Sequence, residues 1–332
     1  MIVSVGIVAL NEEAYLPWIL EDLLHQNYDH KQIEILLVDS GSTDRTKELM
    51  QEFAARYGVE FSAIQILDNP KKVQAAGWNT VFKFAKGEVI IRLDAHARVL
   101  PDFVSQHIAW QSKGEYVTGG LCQRVMSNES SWGRVLLALE NSLFGSSFGR
   151  KINHEKSYVK TLSHTAYRGE VIQKVGGFNE HLQRTEDNEF HYRIRRAGYK
   201  LLCDPKIVSY HYARSSLKNM VRQKYGNGHW VGLTLGVCPA CISLYHLVPF
   251  VFVLGIVFTT ILAAFSVWQL SALMWAGYAL FALFSTVAAV FRGEVKGYCV
   301  IMPILFLLLH VSYGVGTLIG IVEISQFRKK LK

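Results

Sequence analysis

Five cysteines in 332 residues, Cys122, Cys203, Cys238, Cys241 and Cys299, are few, scattered and odd in number. That pattern excludes a disulfide framework and suits a reducing compartment. Cys238-Pro-Ala-Cys241 has redox-motif spacing, yet it lies in an apolar stretch, which favours packing over redox or metal chemistry. A Walker-type Gly-rich lysine loop is absent, which removes P-loop kinases. A Gly-rich N-terminal loop, which a sugar nucleotidyltransferase would want, is also absent. No basic helix or aromatic-basic strand motif accompanies the formal charge of +8, so nucleic acid is not an expected partner. The positive excess fits anionic lipid or phosphate-bearing ligands. The first residues lack a basic region leading into an apolar core, so the first domain is expected to stay where it is made.

Charge itself is scarce after about Leu233. Up to Ile324 the formally charged residues are Arg292, Glu294, Lys296 and Glu323. A soluble core needs no such apolar density, whereas a bilayer does. Three spans are expected, at about Leu247–Trp268, Leu270–Phe291 and Tyr298–Ile319. Residues 231–246, punctuated by Pro239 with Pro249 just beyond, are too short to add a fourth and are expected to lie at the interface. The basic end, residues 325–332 with Arg328, Lys329, Lys330 and Lys332, conflicts with three spans. The positive-inside rule would keep it in the cytoplasm. The loop with Arg292 and Lys296 would be cytoplasmic, which the rule favours. His310 and Glu323, within or near the last span, are either functional or interhelical partners.

Up to about Trp230 the chain alternates strand and helix. Ile2, Val3, Val5, Ile7 and Val8 form an almost continuous apolar run, the pattern of a strand buried on both faces. A helix from Tyr15 to Leu24 follows, with Leu16, Ile19, Leu20, Leu23 and Leu24 on one stripe. Ile33–Asp39 is a second strand, and a helix running to Tyr57 has Thr43 or Ser42 as its expected N-cap. A third strand near Glu60–Leu67 and a helix near Gln74–Ala85 lead to the strand Val89–Asp94. Such alternation predicts a mainly parallel sheet with helices on both faces. Its strand ends at Asn11, Asp39 and Asp94 would share one edge, where open α/β sheets bind ligands. Asp94 and His96, first and third at a strand end, project to one side. An oxygen and a nitrogen ligand together suit a divalent ion that also holds phosphates, although a polar turn would read the same.

Val8-Ala-Leu-Asn-Glu-Glu13, Val38-Asp-Ser-Gly-Ser-Thr-Asp44, Gly77-x-Asn79 before Gly87-Glu88, and Arg92-Leu-Asp-Ala-His96 resemble the nucleotide-sugar half of inverting family-2 glycosyltransferases of the GT-A fold. The resemblance covers roughly residues 1–230, a domain expected to be Rossmann-like α/β and cytosolic, followed by the transmembrane helical region. The family has Asp-x-Asp where this chain has Asp94-Ala-His96, a variant similar to the succinoglycan-type exopolysaccharide transferases. The resemblance implies that Ala9, Asn11, Glu12, Asp39, Asn79 and Asp94 bind the nucleotide sugar. Asn11 and Glu12 would line the uracil or thymine side, and Asp39 would bond base or ribose. Asp94 and His96 would hold Mg²⁺ or Mn²⁺ on the diphosphate, a poor leaving group until its charge is neutralised.

Glu186-Asp187-Asn-Glu189 opens a helix that ends near Ala197, with Gly198 at C′. Three acids in a first turn also suit the helix dipole. The Glu-Asp pair matches the family's catalytic pair, which makes Asp187 the base for the acceptor hydroxyl and Glu186 a binder of acceptor hydroxyls. Arg193 would be a structural partner, and His191 a packed or exposed histidine. Processive synthases of the family carry Gln-x-x-Arg-Trp where this chain has Gln223 and Trp230 seven apart, which favours addition of one sugar. The implied function is transfer from a UDP- or dTDP-sugar to a polyprenyl-diphosphate-linked acceptor in bacterial exopolysaccharide or capsule synthesis, on a multi-pass inner-membrane protein. Rivals are a processive synthase and a non-catalytic scaffold of an export complex.

Overall fold

The computed structural model describes residues 1–126, 130–142, 144–145, 155–212, 216–295 and 297–331. The chain forms two compact units, 1–123 with 152–211, and 124–151 with 212–332.

In the first unit, β1 (Val3–Ala9), α1 (Leu16–Leu24), β2 (Ile33–Asp39), α2 (Thr46–Tyr57), β3 (Ala63–Asp68), α3 (Gln74–Phe84) and β4 (Val89–Asp94) alternate as expected. Their strands pair in parallel in the order β3-β2-β1-β4. Side chains on β2 divide between the two faces. Ile33, Ile35 and Leu37 pack with Leu16, Ile19 and Leu23 of α1, whereas Leu36 and Val38 pack with Trp78 and Val81 of α3. Two-sided burial explains why the strands read as nearly continuous apolar runs. Glu34, buried in this layer, is offset by bonds from Ser4 Oγ (2.6 Å), Lys86 N (2.9 Å) and Gln65 Nε2 (2.9 Å).

Beyond β4 the expected mainly parallel sheet becomes mixed. β5 (Ala97–Val99), α4 (Phe103–Gln111) and β6 (Val117–Val125) come next, and α5 (Ser131–Asn141) belongs to the second unit. β7 (Ser157–Val159), β8 (Ala166–Arg168), α6 (Gly169–Val175), α7 (Glu186–Arg196) and β9 (Leu201–Tyr212) complete the sheet. β8 pairs antiparallel with β4 and β6, and β9 pairs antiparallel with β5 and β7. The change of direction begins at β8, which enters the sheet beside β4 running the opposite way, and β5 lies apart from β4, against β9.

The second unit contains α5, α8 (Leu217–Leu235), α9 (Val248–Ala264), α10 (Gln269–Phe291) and α11 (Met302–Lys330). Among the described residues, three helical segments are long and apolar enough to cross a membrane: Leu244–Ala264, Gln269–Phe291 and Tyr298–Lys330, of 21, 23 and 33 residues. The third runs past the expected Ile319 because no helix breaker stands between Val322 and Lys330. The basic end is therefore the last turn of α11, where cations suit the dipole; Lys296 and Lys332 lie outside the described residues. The expected boundary at residue 230 falls inside α8, and residues 231–235 complete that helix. Its partner is α11. A Cβ on Gly232 would meet Thr317 O at 2.4 Å, and one on Gly320 would meet His229 O at 2.1 Å. The two backbones run parallel at a distance that only glycine permits, the small-xxx-small contact of membrane helices. Glu323 accepts a bond from His229 Nε2 at 2.8 Å, and His310 Nδ1 bonds Tyr278 OH at 2.9 Å, so both polar residues act as interhelical partners.

Candidate active site

In-register parallel strands end together. Ala9 pairs with Asp39, and Val8 with Asp94, which gathers the three strand ends at one edge. Ala9 is buried, and its carbonyl accepts Ser40 N at 2.9 Å. Asp39 is buried and accepts Gly41 N (3.2 Å) and Ser42 N (3.1 Å), so the carboxylate shapes its own loop. Asn11 adopts φ +55°, and its Oδ1 accepts Thr43 N at 2.8 Å. Ser42 Oγ accepts Asn11 N at 3.0 Å, and Thr46 Oγ1 accepts Glu12 N at 2.7 Å. Ser42 and Thr43 thus join two loops rather than cap α2, which starts at Thr46 with Arg45 at the N-cap position and no side-chain cap.

Asp94, His96 and His211 each offer one ligand atom, and these lie within 4.8 Å of one another. Topology assembles them: Asp94 ends β4, His96 follows two residues later, and His211 on β9 pairs across the sheet with Ala97. A cation fits this set. Asp94 Oδ1 is buried without a hydrogen-bond partner, and such an orphaned acceptor is costly unless something fills its lone pairs. Glu12 Oε1 accepts from His96 Nδ1 at 3.0 Å, which leaves Nε2 for an ion, the usual support of a ligating imidazole. Asp94 Oδ2 accepts from His164 Nε2 at 3.2 Å, and His164 Nδ1 bonds Ser209 Oγ at 2.8 Å. Burial opposes charge on Asp94, but His164, Arg92 and His96 hold its carboxyl well below the ordinary range. Burial likewise opposes protonation of His164; Cys122 and Asp94 outweigh it and push the imidazole up to about 10. Burial also disfavours charge on His96, yet Glu12 and Asp94 raise its pKa. A bound ion would displace that proton.

On the facing side, Glu186, Asp187 and Glu189 occupy the first turn of α7, and Gly198 follows the helix at φ +94°, as expected. Asp187 is clasped by Arg92, with Nη1 on Oδ1 and Nη2 on Oδ2 at 3.0 Å. Glu186 is buried, and its Oε2 has no hydrogen-bond partner. Burial first, then the charge of Asp187, pushes its carboxyl up to about 8, against the pull of Arg92. Arg193 does not touch this pair. It binds Glu189 at 2.6 Å and the carbonyls of Val175 (2.8 Å) and Gly177 (2.6 Å). His191 is packed, between Tyr167 OH (2.8 Å) and Thr161 Oγ1 (3.1 Å), and burial pushes its pKa down to about 4. Asn79 spends its amide on the loop before α7: Oδ1 accepts Phe178 N (2.7 Å), and Nδ2 donates to Phe178 O (2.9 Å) and Glu180 Oε1 (2.9 Å). Arg92, His164 and His211 carry roles that sequence reasoning missed. Arg92 stood inside a quoted motif, and its charge amid Val89–Leu93 was the available signal.

A parallel half-sheet with acidic and imidazole groups at its strand ends, extended by an antiparallel half, is the GT-A glycosyltransferase fold. The chain belongs to glycosyl transferase family 2, whose model matches residues 4–176, more than half of its 332 residues. It is 27% identical to a Methanococcus voltae dolichyl N-acetyl-alpha-D-glucosaminyl phosphate 3-beta-D-2,3-diacetamido-2,3-dideoxy-beta-D-glucuronosyltransferase, over 94% of this chain and 95% of that one. It is 26% identical to succinoglycan biosynthesis protein ExoA of Rhizobium meliloti, over 67% of this chain and 66% of the other. Among solved structures, the mannosyltransferase PcManGT of Pyrobaculum calidifontis, in complex with GDP-Man and Mn²⁺, has a similar fold. It superposes with a TM-score of 0.62 at 16% identity, covering 96% of this chain and 87% of that one.

Proposed function

We propose that the chain is an inverting transferase that moves one sugar from a UDP- or dTDP-sugar onto a sugar carried by a polyprenyl phosphate or diphosphate, in exopolysaccharide, capsule or a related surface glycan. The observation that carries this reading is the pairing of two chemistries in one unit. Asp94, His96 and His211 form a cation cradle with one orphaned carboxylate oxygen, and Asp187 is a clasped carboxylate on α7. Asp94, His96 and His211 would hold Mg²⁺ or Mn²⁺, which when bound supplies positive charge against the leaving diphosphate. The Asp39 loop would take base and ribose, with Asn11 fixing the loop rather than reaching the base, and Glu12 supporting His96. Asp187 accepts the proton of the acceptor hydroxyl as that oxygen attacks C1. The C1–O bond to the diphosphate breaks on the opposite face, and its electron pair leaves with the nucleoside diphosphate. Glu186, protonated at neutral pH, can donate a hydrogen bond to an acceptor hydroxyl.

The lipid acceptor is supported by the apolar helices and by the acceptor named for the M. voltae relative. Nucleotide sugars are cytosolic, so the first unit would face the cytoplasm at the inner membrane. A processive synthase is disfavoured because Trp230 in α8 has no preceding arginine. The test is Asp187→Asn. Nucleoside diphosphate binding should stay within about threefold, while transfer falls by ~10²–10⁴-fold, the usual cost of a lost general base. Turnover within threefold of the unsubstituted protein would rule Asp187 out as the base.

A further inference from the structure

Arg92 lies on β4 two residues before Asp94, on the same side of the strand. It is only 4% exposed, a burial that a lone guanidinium does not tolerate. Its planar group lies against two aromatic rings, 5.0 Å from Trp78 and 5.5 Å from Phe178. Both terminal nitrogens engage the two oxygens of Asp187. Asp187 keeps about a third of its side chain, 30%, exposed. A carboxylate has about four acceptor sites, so the fork fixes its plane and leaves other sites free.

The Phe178 ring is itself held in place. Phe178 is tied to α3 through both backbone groups by Asn79, and a Cβ on Gly177 would fall 2.2 Å from Asn79 Oδ1. Arg193 grips the same loop from α7 through the carbonyls of Val175 and Gly177. The loop therefore cannot shift without moving Phe178 against Arg92.

We propose that Arg92 is the positioning residue of the transfer. From the strand that ends in the ion-holding carboxylate, it aims Asp187 at the acceptor. One strand then sets both the leaving-group side and the base, with the Asn79–Phe178 contact as the brace. This rests on Asp187 being the base. A lysine cannot replace the arginine, because an ammonium is a point charge and not a planar fork.

The experiment is a cycle of Arg92→Gln, Asp187→Asn and the double variant in the full-length chain. Turnover is read as nucleoside diphosphate released from mixed UDP- and dTDP-sugars in native membranes, and affinity as UDP and dTDP binding. Arg92→Gln should lower turnover by about 100-fold, a misplacement effect, with nucleotide affinity within threefold. On the Asp187→Asn background the same substitution should cost less than threefold. Turnover of Arg92→Gln within threefold of the unsubstituted chain would overturn the proposal. So would a full 100-fold loss on the Asp187→Asn background, or an affinity loss equal to the rate loss. If Arg92→Gln does not accumulate folded, Arg92→Lys takes its place, with at least a tenfold rate loss expected and full activity overturning the idea. An active Asp187→Asn would remove the base reading itself; an inactive Asp187→Asn beside an active Arg92→Gln would remove only the role of Arg92.

Discussion

Replacing Glu186 by Gln gives the site a pH signature. In an unfolded chain this carboxyl ionises near 4.5, whereas burial and the neighbouring Asp187 push it up to about 8 in the fold. Between those values the folded protein keeps a proton that the unfolded chain has shed. The stability contributed by the neutral carboxyl is therefore complete below about pH 4.5 and disappears as pH rises through about 8. Each pH unit in the window is worth ~1.4 kcal/mol, so the full loss is on the order of 4–5 kcal/mol. Glutamine copies the neutral acid and has no proton to lose. At ~2–4 °C per kcal/mol for a domain of this size, the variant should gain on the order of 10 °C in Tm over the unsubstituted protein as pH goes from 5 to 8. Melting curves in detergent with EDTA and without nucleotide would measure this, since a bound cation would stabilise the ionised form. Parallel Tm–pH curves for the two proteins would refute the claim that Glu186 is neutral in the folded site.

Other consequences can be checked separately. His211→Ala and His96→Ala should each raise the Mn²⁺ concentration needed for half-maximal quenching of intrinsic fluorescence by about tenfold or more; unchanged Mn²⁺ titrations would reduce the cluster to phosphate contacts. Gly320→Leu should break the α8–α11 contact and sharply lower folded yield in detergent, whereas Gly277→Leu, with open space around it, should be milder; equal yields would contradict the backbone-contact geometry. A reporter fused after Lys332 tests the three-span proposal: alkaline phosphatase activity is expected, and cytoplasmic-only fluorescence would leave the tail inside.

The parallel half of the first unit was legible because both-face burial leaves β1, β2 and β4 as mostly apolar runs followed by polar residues. Asp94 and His96 were legible for the same reason, being local to one strand end. His211 was not, because it reaches them only through antiparallel pairing of β9 with β5, a register that no local pattern encodes. Nor was the clasp of Asp187 by Arg92, which joins a strand to a helix far along the chain. The N-cap expectation failed at Ser42 and Thr43 because tertiary bonds to Asn11 took the groups that would have capped α2. The α8–α11 contact had a signal, glycines four apart at Gly228 and Gly232 and again at Gly316 and Gly320. A polar helix beside an apolar one gave no indication that the two repeats face each other.

The central claim is acceptor-dependent transfer with Asp187 as the base. Its most direct measurement supplies purified full-length protein in lipid nanodiscs with Mn²⁺, a panel of UDP- and dTDP-sugars, and lipid-linked intermediates extracted from a strain lacking the protein. The account predicts that one donor adds a single sugar mass to one lipid intermediate, with inverted anomeric configuration by NMR, and that Asp187→Asn abolishes the shift. A repeating ladder of added sugars, retention of configuration, or an undiminished shift with Asp187→Asn would contradict it.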